Sequence, residues 1–103
     1  MILYLYGFKD KKLGAFTQIY TDNLSPDKEK LVIERGLKRT QDIEKLKLYS
    51  DIQIYSLGEW DDESGQIKAC FPDFVVDAGD IVYGILAQQY AAEKKEEVKV
   101  DVE

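Results

Sequence analysis

Residues 48–71 read LYSDIQIYSLGEWDDESGQIKACF, and this stretch predicts the centre of the fold. Its first half, from Ile52 to Trp60, is rich in β-branched and aromatic side chains, which suit a pleated, half-buried strand. The polar residues 61–65 interrupt this strand, and a second apolar run follows. Two apolar runs separated by about five polar residues predict a β-hairpin, and Gly65 would supply the positive φ that its loop needs.

The N-terminal segment predicts another hairpin. MILYLYGF (residues 1–8) is apolar on both sides of a strand, and Tyr4, Tyr6 and Phe8 alternate on one side. Charged residues 9–12 form a turn, and GAFTQIY (residues 14–20) is the returning strand. A strand that is apolar on both faces is central in a sandwich, is covered by a helix, or lies at an interface.

Helix signals occupy the middle of the chain. Ser25 and Pro26 predict the start of a central helix, because Ser favours the N-cap and Pro favours the first helical position. Gly36 either ends this helix or weakens it. Thr40 is then expected to cap a second, shorter helix that runs to Leu48.

The C-terminal third predicts one more helix and a tail. Pro72 should stop regular strand pairing because it has no N–H to donate. Residues 80–92 (DIVYGILAQQYAA) have apolar side chains at helical spacing, which predicts an amphipathic helix. Residues 93–103 are charged and should form a flexible tail. The valines at 98, 100 and 102 alternate, so the tail could instead form a strand that pairs with a partner.

These elements predict an α+β fold with a single domain over residues 1–92. Two β-hairpins should form a small antiparallel sheet, the central helix should pack on it, and the C-terminal helix should cover an edge or the other side. Because both faces of the first strand are apolar, some hydrophobic surface would stay uncovered. We therefore expect a homo-oligomer, most simply a two-fold dimer.

The composition argues against an enzyme. The chain has no His and one Cys, and no glycine-rich phosphate loop appears. The commonest metal ligand, the commonest general base and the usual catalytic triads are therefore missing. The acidic run 61–63 lacks the spacing of a calcium loop, and Cys70 should lie in the core. We expect no catalytic residues, no metal and no cofactor.

No membrane association is expected either. The longest apolar runs are too short to span a bilayer. The N-terminus has no basic region before its apolar run, so it does not resemble a secretory signal.

The net charge of −6 is unevenly distributed. Residues 51–80 carry eight acids and one lysine, whereas residues 9–47 carry ten basic residues and seven acids. This dipolar pattern suits either a basic binding face or head-to-tail association, in which the acidic loop 59–63 would dock on a neighbour's basic helix. The net charge of the whole chain is too negative for a generic DNA-coating protein.

Rings and basic residues together predict a candidate nucleic-acid interface. Bases of a single strand could stack on the rings of the first strand, and nearby cations could contact phosphates. The candidate residues are Tyr4, Tyr6, Lys9, Lys11, Lys12, Arg35, Lys38 and Arg39. Such rings are more often core or subunit interface, and basic residues interspersed with acids more often form a solvated face. Both alternatives stay open.

The opening stretch also resembles a known family. LYSDIQIYSLGEWDDESGQI resembles the D-x-x-L-Y-x-x-G-x-F-D-x-x-T-G-x-x segment of a small nonstructural protein encoded by gokushovirus-type microviruses, which are single-stranded-DNA phages. The matching residues are Asp51, Ile54, Tyr55, Leu57, Gly58, Trp60, Asp61, Ser64 and Gly65, with similar N-terminal residues Lys9, Asp10, Lys12 and Phe16. The resemblance covers residues 1–82. Tyr49 stands where the family usually has Pro, and the chain continues past the family's usual end.

The resemblance implies a phage nonstructural protein in the host cytoplasm. The family is associated with the switch from duplex replication to single-strand synthesis and packaging, and its matched residues carry no catalytic role. The first hypothesis is an accessory protein in viral DNA replication or packaging that binds single-stranded DNA without catalysis. The second is an oligomeric adaptor that contacts replication or procapsid proteins and never touches DNA. The acidic total favours the adaptor, whereas the local basic residues and rings allow DNA binding.

Overall fold

The computed structural model describes the backbone of residues 1–102 and the side chains of residues 1–92. The strands are β1 (Ile2–Asp10), β2 (Ala15–Asp22), β3 (Ile52–Asp61) and β4 (Ile67–Asp77). The helices are α1 (Pro26–Arg39), α2 (Ile43–Leu48) and α3 (Ala78–Val102). The strands form one antiparallel sheet in the order β2-β1-β3-β4. This confirms the predicted α+β fold with a C-terminal helix. Helix α3 continues to Val102 and so includes most of the segment 93–103 that was predicted as a flexible tail, whose side chains lie outside the described residues.

The two predicted hairpins are β1–β2 and β3–β4, and the pairing of β1 with β3 joins them. Gly65 has a φ of 75°, as its place in the loop required. Gly58 has a φ of 136° beside irregularities in both of its strand pairings. A Cβ at Gly58 would clash with the backbone carbonyl of Lys68, so the bulged centre of the sheet requires glycine there.

Helix α1 begins at Pro26, as predicted, although the side chain of Ser25 makes no capping hydrogen bond. Asp27 and Glu29 lie in its first turn, where negative charge favours the helix dipole. The helix continues through Gly36, so this glycine does not end it.

Thr40 ends α1 and does not cap α2, which corrects the prediction. Its backbone N–H donates to the carbonyl of Leu37, and its hydroxyl donates to the carbonyl of Gly36 at 2.8 Å. The cap of α2 is Asp42, whose side chain accepts from the N–H of Glu44 at 3.0 Å. The Thr40 hydroxyl is therefore already used by the preceding helix.

Strand β4 is an edge strand and runs through Pro72. Its partner register passes from Ser56↔Asp73 to Gly58↔Ala69, so residues 70–72 have no regular partner. Pro72 interrupts the pairing, as expected, but does not end the strand, because an edge bulge needs no N–H from it. Cys70 lies in the same bulge and is exposed, so its predicted place in the core is wrong.

The core lies on one face of the sheet, under α1, α2 and α3. Its buried residues are Tyr6, Leu37, Leu46, Ile52, Ile54, Val75, Val76, Ala78 and Val82. Ala78 and Val82 of α3 are both fully buried in this cluster, and α3 contacts α1 and β3. The alternative that α3 covers the other side of the sheet is therefore wrong, because α3 lies on the same side as α1. No helix of the described residues covers the opposite face of the sheet.

Candidate functional site: the open face of the sheet

The uncovered side of the sheet, called here the open face, carries mainly apolar and aromatic side chains. Residues that are directly paired across strands point to the same face. Leu3 pairs with Trp60 and Trp60 with Ile67, while Tyr55 pairs with Phe74. The open face comprises Leu3, Leu5, Lys9, Phe16, Ile19, Tyr55, Leu57, Trp60, Ile67 and Phe74. These residues are half-buried or exposed, which is unusual for so many large apolar side chains on one surface.

Three rings lie in line at one end of the open face. Phe16 and Tyr55 have ring centroids 5.5 Å apart, and Tyr55 and Phe74 are 5.8 Å apart, both edge to face. The Nζ atom of Lys9 lies 5.9 Å from the Phe16 centroid and 5.8 Å from the Tyr55 centroid. Lys9, Phe16, Tyr55 and Phe74 are called here the ring cluster. It presents aromatic surface and a positive charge in one place.

Gly7 creates the space for this cluster. A Cβ at Gly7 would lie 2.7 Å from a methyl carbon of Leu57 and 2.9 Å from a ring carbon of Phe16. Both side chains therefore extend over the glycine backbone of β1. This close approach holds Phe16 near Tyr55, because β1 separates the strands that carry the two rings.

The other end of the open face is apolar without a cation. Leu3, Trp60 and Ile67 form a row across β1, β3 and β4, with Leu5 on the neighbouring row. Ile67 is 59% exposed on the edge strand. These four residues are called here the apolar end. Surfaces of this composition are typical of protein interfaces.

The predicted rings Tyr4 and Tyr6 lie on the helix-covered face. Tyr6 is fully buried, its ring stacks on Tyr20 with centroids 5.3 Å apart, and its hydroxyl donates to the carbonyl of Leu24 at 2.6 Å. Burial raises the pKa of Tyr6. A ring in this position cannot stack on a base, so its assignment to a nucleic-acid interface is wrong. Tyr4 is half-buried against the same core.

Lys11 and Lys12 lie in the turn between β1 and β2 and are both ion-paired. Lys11 Nζ is 3.1 Å from Asp77, and Lys12 Nζ is 3.3 Å from Asp51. Burial disfavours the charge of Lys11, but the hydrogen bond to Asp77 and the negative charges of Asp77, Asp80 and Asp51 together outweigh it, so the pKa of Lys11 is raised. These partners reduce the charge that the two lysines could offer to phosphates.

Arg35, Lys38 and Arg39 are exposed near the C-terminal end of α1. None of them takes part in an ion pair within the described part of the chain. They lie on the helix side of the molecule, away from the open face. The structure therefore separates the predicted set, and only Lys9 remains beside exposed rings.

Sequence reasoning missed Tyr55 and Phe74 as site residues. The alternation of residues 52–57 places Tyr55 opposite in direction to Ile52 and Ile54, so this ring could have been found from the pattern alone. The direction of Phe74 could not, because register shifts on both sides of it, at Val75 and at residues 70–72, break the alternation of β4.

Comparisons with known proteins return no match to a family model, a curated protein or a solved structure. Within residues whose placement is described, no group of three or more Cys, Asp or Glu side chains is arranged to hold a metal ion. No helix in this part is both long enough and apolar enough to cross a membrane.

Proposed function

We propose that the protein is a noncatalytic accessory in phage single-stranded-DNA synthesis or packaging, acting in the host cytoplasm, and that it binds single-stranded DNA on the ring cluster. The observation that carries the binding proposal is the line of three edge-to-face rings, with Lys9 over two of them, on a sheet face without a helix. The phage setting rests on the resemblance of residues 48–67, together with the similar N-terminal residues Lys9, Asp10, Lys12 and Phe16.

The chemistry of the ring cluster fits stacked bases. Each base has a π-face, so an aromatic side chain on a sheet binds single strands with little sequence preference. Such stacking is worth about 1–3 kcal/mol per base. Phe16 and Phe74 are 39% and 53% exposed, which leaves ring surface for a base. Duplex DNA keeps its bases stacked on each other and cannot use these rings.

The charge distribution supports binding dominated by stacking. Lys9 is the one cation of the ring cluster. For single strands the affinity falls with salt with a slope of about −0.7 per phosphate contact. One contact therefore predicts a two- to threefold loss between about 50 and 200 mM salt, whereas contacts from Arg35, Lys38 and Arg39 would make the loss at least about tenfold.

The test is a fluorescence-anisotropy titration of a labelled oligothymidine at these two salt concentrations, with duplex as control. Tyr55→Ala and Phe74→Ala should each weaken binding by about 5- to 150-fold, which is the loss of one stacked base. Tyr83→Ala is the matched control, because Tyr83 is a 59% exposed tyrosine on α3. Its affinity should equal that of the wild type.

Two results would overturn this proposal. Absence of single-strand binding at low salt would remove DNA contact as the activity. Loss of binding in Lys38→Glu with Arg39→Glu, together with normal binding by Tyr55→Ala, would move the interface from the open face to α1.

The apolar end favours a second candidate function, an oligomeric adaptor. Leu3, Trp60 and Ile67 offer no charge to a phosphate but suit the apolar centre of a protein interface. The net charge of −6 also disfavours contact with DNA in general. The partner would be a second copy of the chain or a viral replication or procapsid protein. Ile67→Lys should then abolish partner binding and leave the ring cluster unchanged.

A further inference from the structure

A groove of about 490 Å³ lies between α1 and the β1–β2 half of the sheet, on the side opposite the open face. Phe8 and Tyr20 line it from the sheet, Glu29 and Ile33 line it from α1, and Thr40 and Tyr49 also line it. Its volume is within the range of small-molecule sites.

Glu29 is the unusual member of this groove. It is 4% exposed, and its Oε1 atom accepts a hydrogen bond from the Tyr20 hydroxyl at 3.3 Å. Its Oε2 atom is buried and has no hydrogen-bond partner among the described residues. None of the ion pairs in that part of the chain includes Glu29. Buried carboxylates are normally paired or fully hydrogen-bonded, because desolvation of the charge is costly.

The groups that face Glu29 from the packed strands are acidic or neutral. Tyr6 lies on β1, and Tyr20 and Asp22 lie on β2. The charge of Glu29 raises the pKa of both tyrosines, and the charge of Asp22 raises the pKa of Glu29. Burial, then a hydrogen bond between the carboxyl groups of Glu29 and Asp22 and the charge of Asp22, raise the pKa of Glu29 to about 7. A cation is the complement that this group of side chains lacks.

Aromatic rings continue from the carboxylate along the groove. Phe8 contacts Tyr20 with centroids 5.3 Å apart and Tyr49 at 6.1 Å, both edge to face. An ammonium group gains cation–π attraction from such rings, and an alkyl chain gains from burial against them.

We propose that this groove is a binding site for a small organic cation, whose ammonium group contacts Glu29 and whose alkyl chain lies along Phe8 and Tyr49. The ligand class is a primary alkylamine. Glu29 lines the groove and has no cation partner among the described residues, so its carboxylate is the group that binds the nitrogen. The aromatic walls exclude strongly hydrated inorganic cations. This site is separate from the open face and does not depend on DNA binding.

The experiment uses the full chain and pentylammonium chloride as probe, titrated at pH 8 and followed by amide chemical shifts. The controls are 1-pentanol, which has the same chain without charge, and NaCl at equal ionic strength. Saturable shifts are expected at residues around the groove with pentylammonium alone. At pH 6 the affinity should be about tenfold lower, because a group with a pKa of about 7 is then mostly protonated.

Substitutions assign the binding to the carboxylate and the rings. Glu29→Gln should weaken pentylammonium binding at least about tenfold, because the charge is lost and the shape is kept. Glu34→Gln, which removes a carboxylate further along α1, should bind like the wild type. Tyr49→Leu keeps an apolar wall but removes a ring, and should weaken binding two- to fivefold.

The proposal is overturned if 1-pentanol produces the same saturable shifts as pentylammonium, since the groove would then be an apolar cleft only. It is equally overturned if Glu29→Gln retains wild-type affinity, or if no saturable shift appears at pH 8.

Discussion

At the scale of single residues, the most consequential side chain is Glu29. Its carboxyl group is nearly inaccessible, and burial together with the Asp22 carboxylate raises its pKa from 4.5 to about 7. The folded state therefore holds a proton that the unfolded state releases. The contribution of this group to folding is fully present below about pH 4.5, falls as the pH rises toward 7, and is constant above that.

Glu29→Gln removes this titration, since Gln has the same shape and no charge. We expect the variant to be more stable than the wild type at pH 8, by about 1–3 kcal/mol of unfolding free energy, and nearly equal to it at low pH. Urea denaturation at pH 8 and pH 4.5 measures both values. Glu34→Gln controls for the general effect of removing a negative charge from α1. Equal gains at the two pH values would contradict the assignment.

Two glycines, Gly58 and Gly36, should respond in opposite ways to substitution by alanine. Gly58 has a φ of 136° and lies against the Lys68 carbonyl, whereas a Cβ at Gly36 meets no atom within 4 Å. Gly58→Ala should lower the free energy of unfolding by about 1–3 kcal/mol or more through backbone strain and the clash. Gly36→Ala should raise it by about 0.5–1 kcal/mol, because alanine is the better helix former. Chemical denaturation measures the free energy of unfolding of both variants. A Gly58→Ala protein as stable as the wild type would show that the bulge can rearrange.

At the scale of elements, Asp77 joins three parts of the fold. It lies between β4 and α3 and accepts hydrogen bonds from Lys11 of the first turn, Gln53 of β3 and the N–H of Asp80 in α3, at 3.1, 3.2 and 3.1 Å. Burial alone would raise its pKa, but these three donors outweigh burial and hold the pKa below its usual value. Asp77 is therefore both a helix cap and the partner that positions Lys11.

Asp77→Ala should cost about 1–2 kcal/mol of unfolding free energy at neutral pH through loss of the cap and the ion pair. Because the folded pKa is lowered, the stabilisation is present above the unfolded pKa and is lost as the pH falls through the folded pKa. Thermal melts at pH 7 and in strong acid measure this difference. Asp73→Ala, an exposed acid on the same strand, is the control and should leave the melting temperature unchanged. A similar loss in both variants would argue against the role of Asp77.

At the scale of the whole molecule, one side of the sheet carries all the helices and the other side is uncovered within the described residues. The ring cluster and the apolar end divide this open face, so that the proposed DNA and protein partners would not compete for the same residues. The expected two-fold dimer would then form through the apolar end, which leaves the rings accessible.

Sedimentation at high micromolar concentration tests this assembly. The wild type should have the mass of a dimer, and Ile67→Lys should have the mass of a monomer, because a charge at the centre of an apolar contact must be desolvated. Leu48→Lys is the matched control, since Leu48 is 75% exposed on α2 and lies outside the open face. A wild-type monomer at that concentration would contradict the dimer.

Local information determined the elements of this protein. The start of α1 at Pro26, the loop glycine Gly65 and the two hairpins depend on neighbouring residues, and they follow from cap, turn and alternation rules. Local rules do not distinguish adjacent caps, because Thr40 has a suitable side chain for the helix before it and for the helix after it. The site was predictable only in part: Lys9 was included, but the rings beside it were not.

Tertiary structure decided which face of the sheet is covered and which cations are free. Strand β1 is apolar on both sides, so its alternation could not tell whether Tyr6 or Leu5 faces the helices. The packing of the helices on one side of the sheet decided this: Tyr6 is fully buried in the core on that side, and the other face stays open within the described residues. The ion pair of Lys11 with Asp77 and the burial of the Glu29 Oε2 atom without a hydrogen-bond donor arise in the same way, because both depend on residues that are distant in sequence.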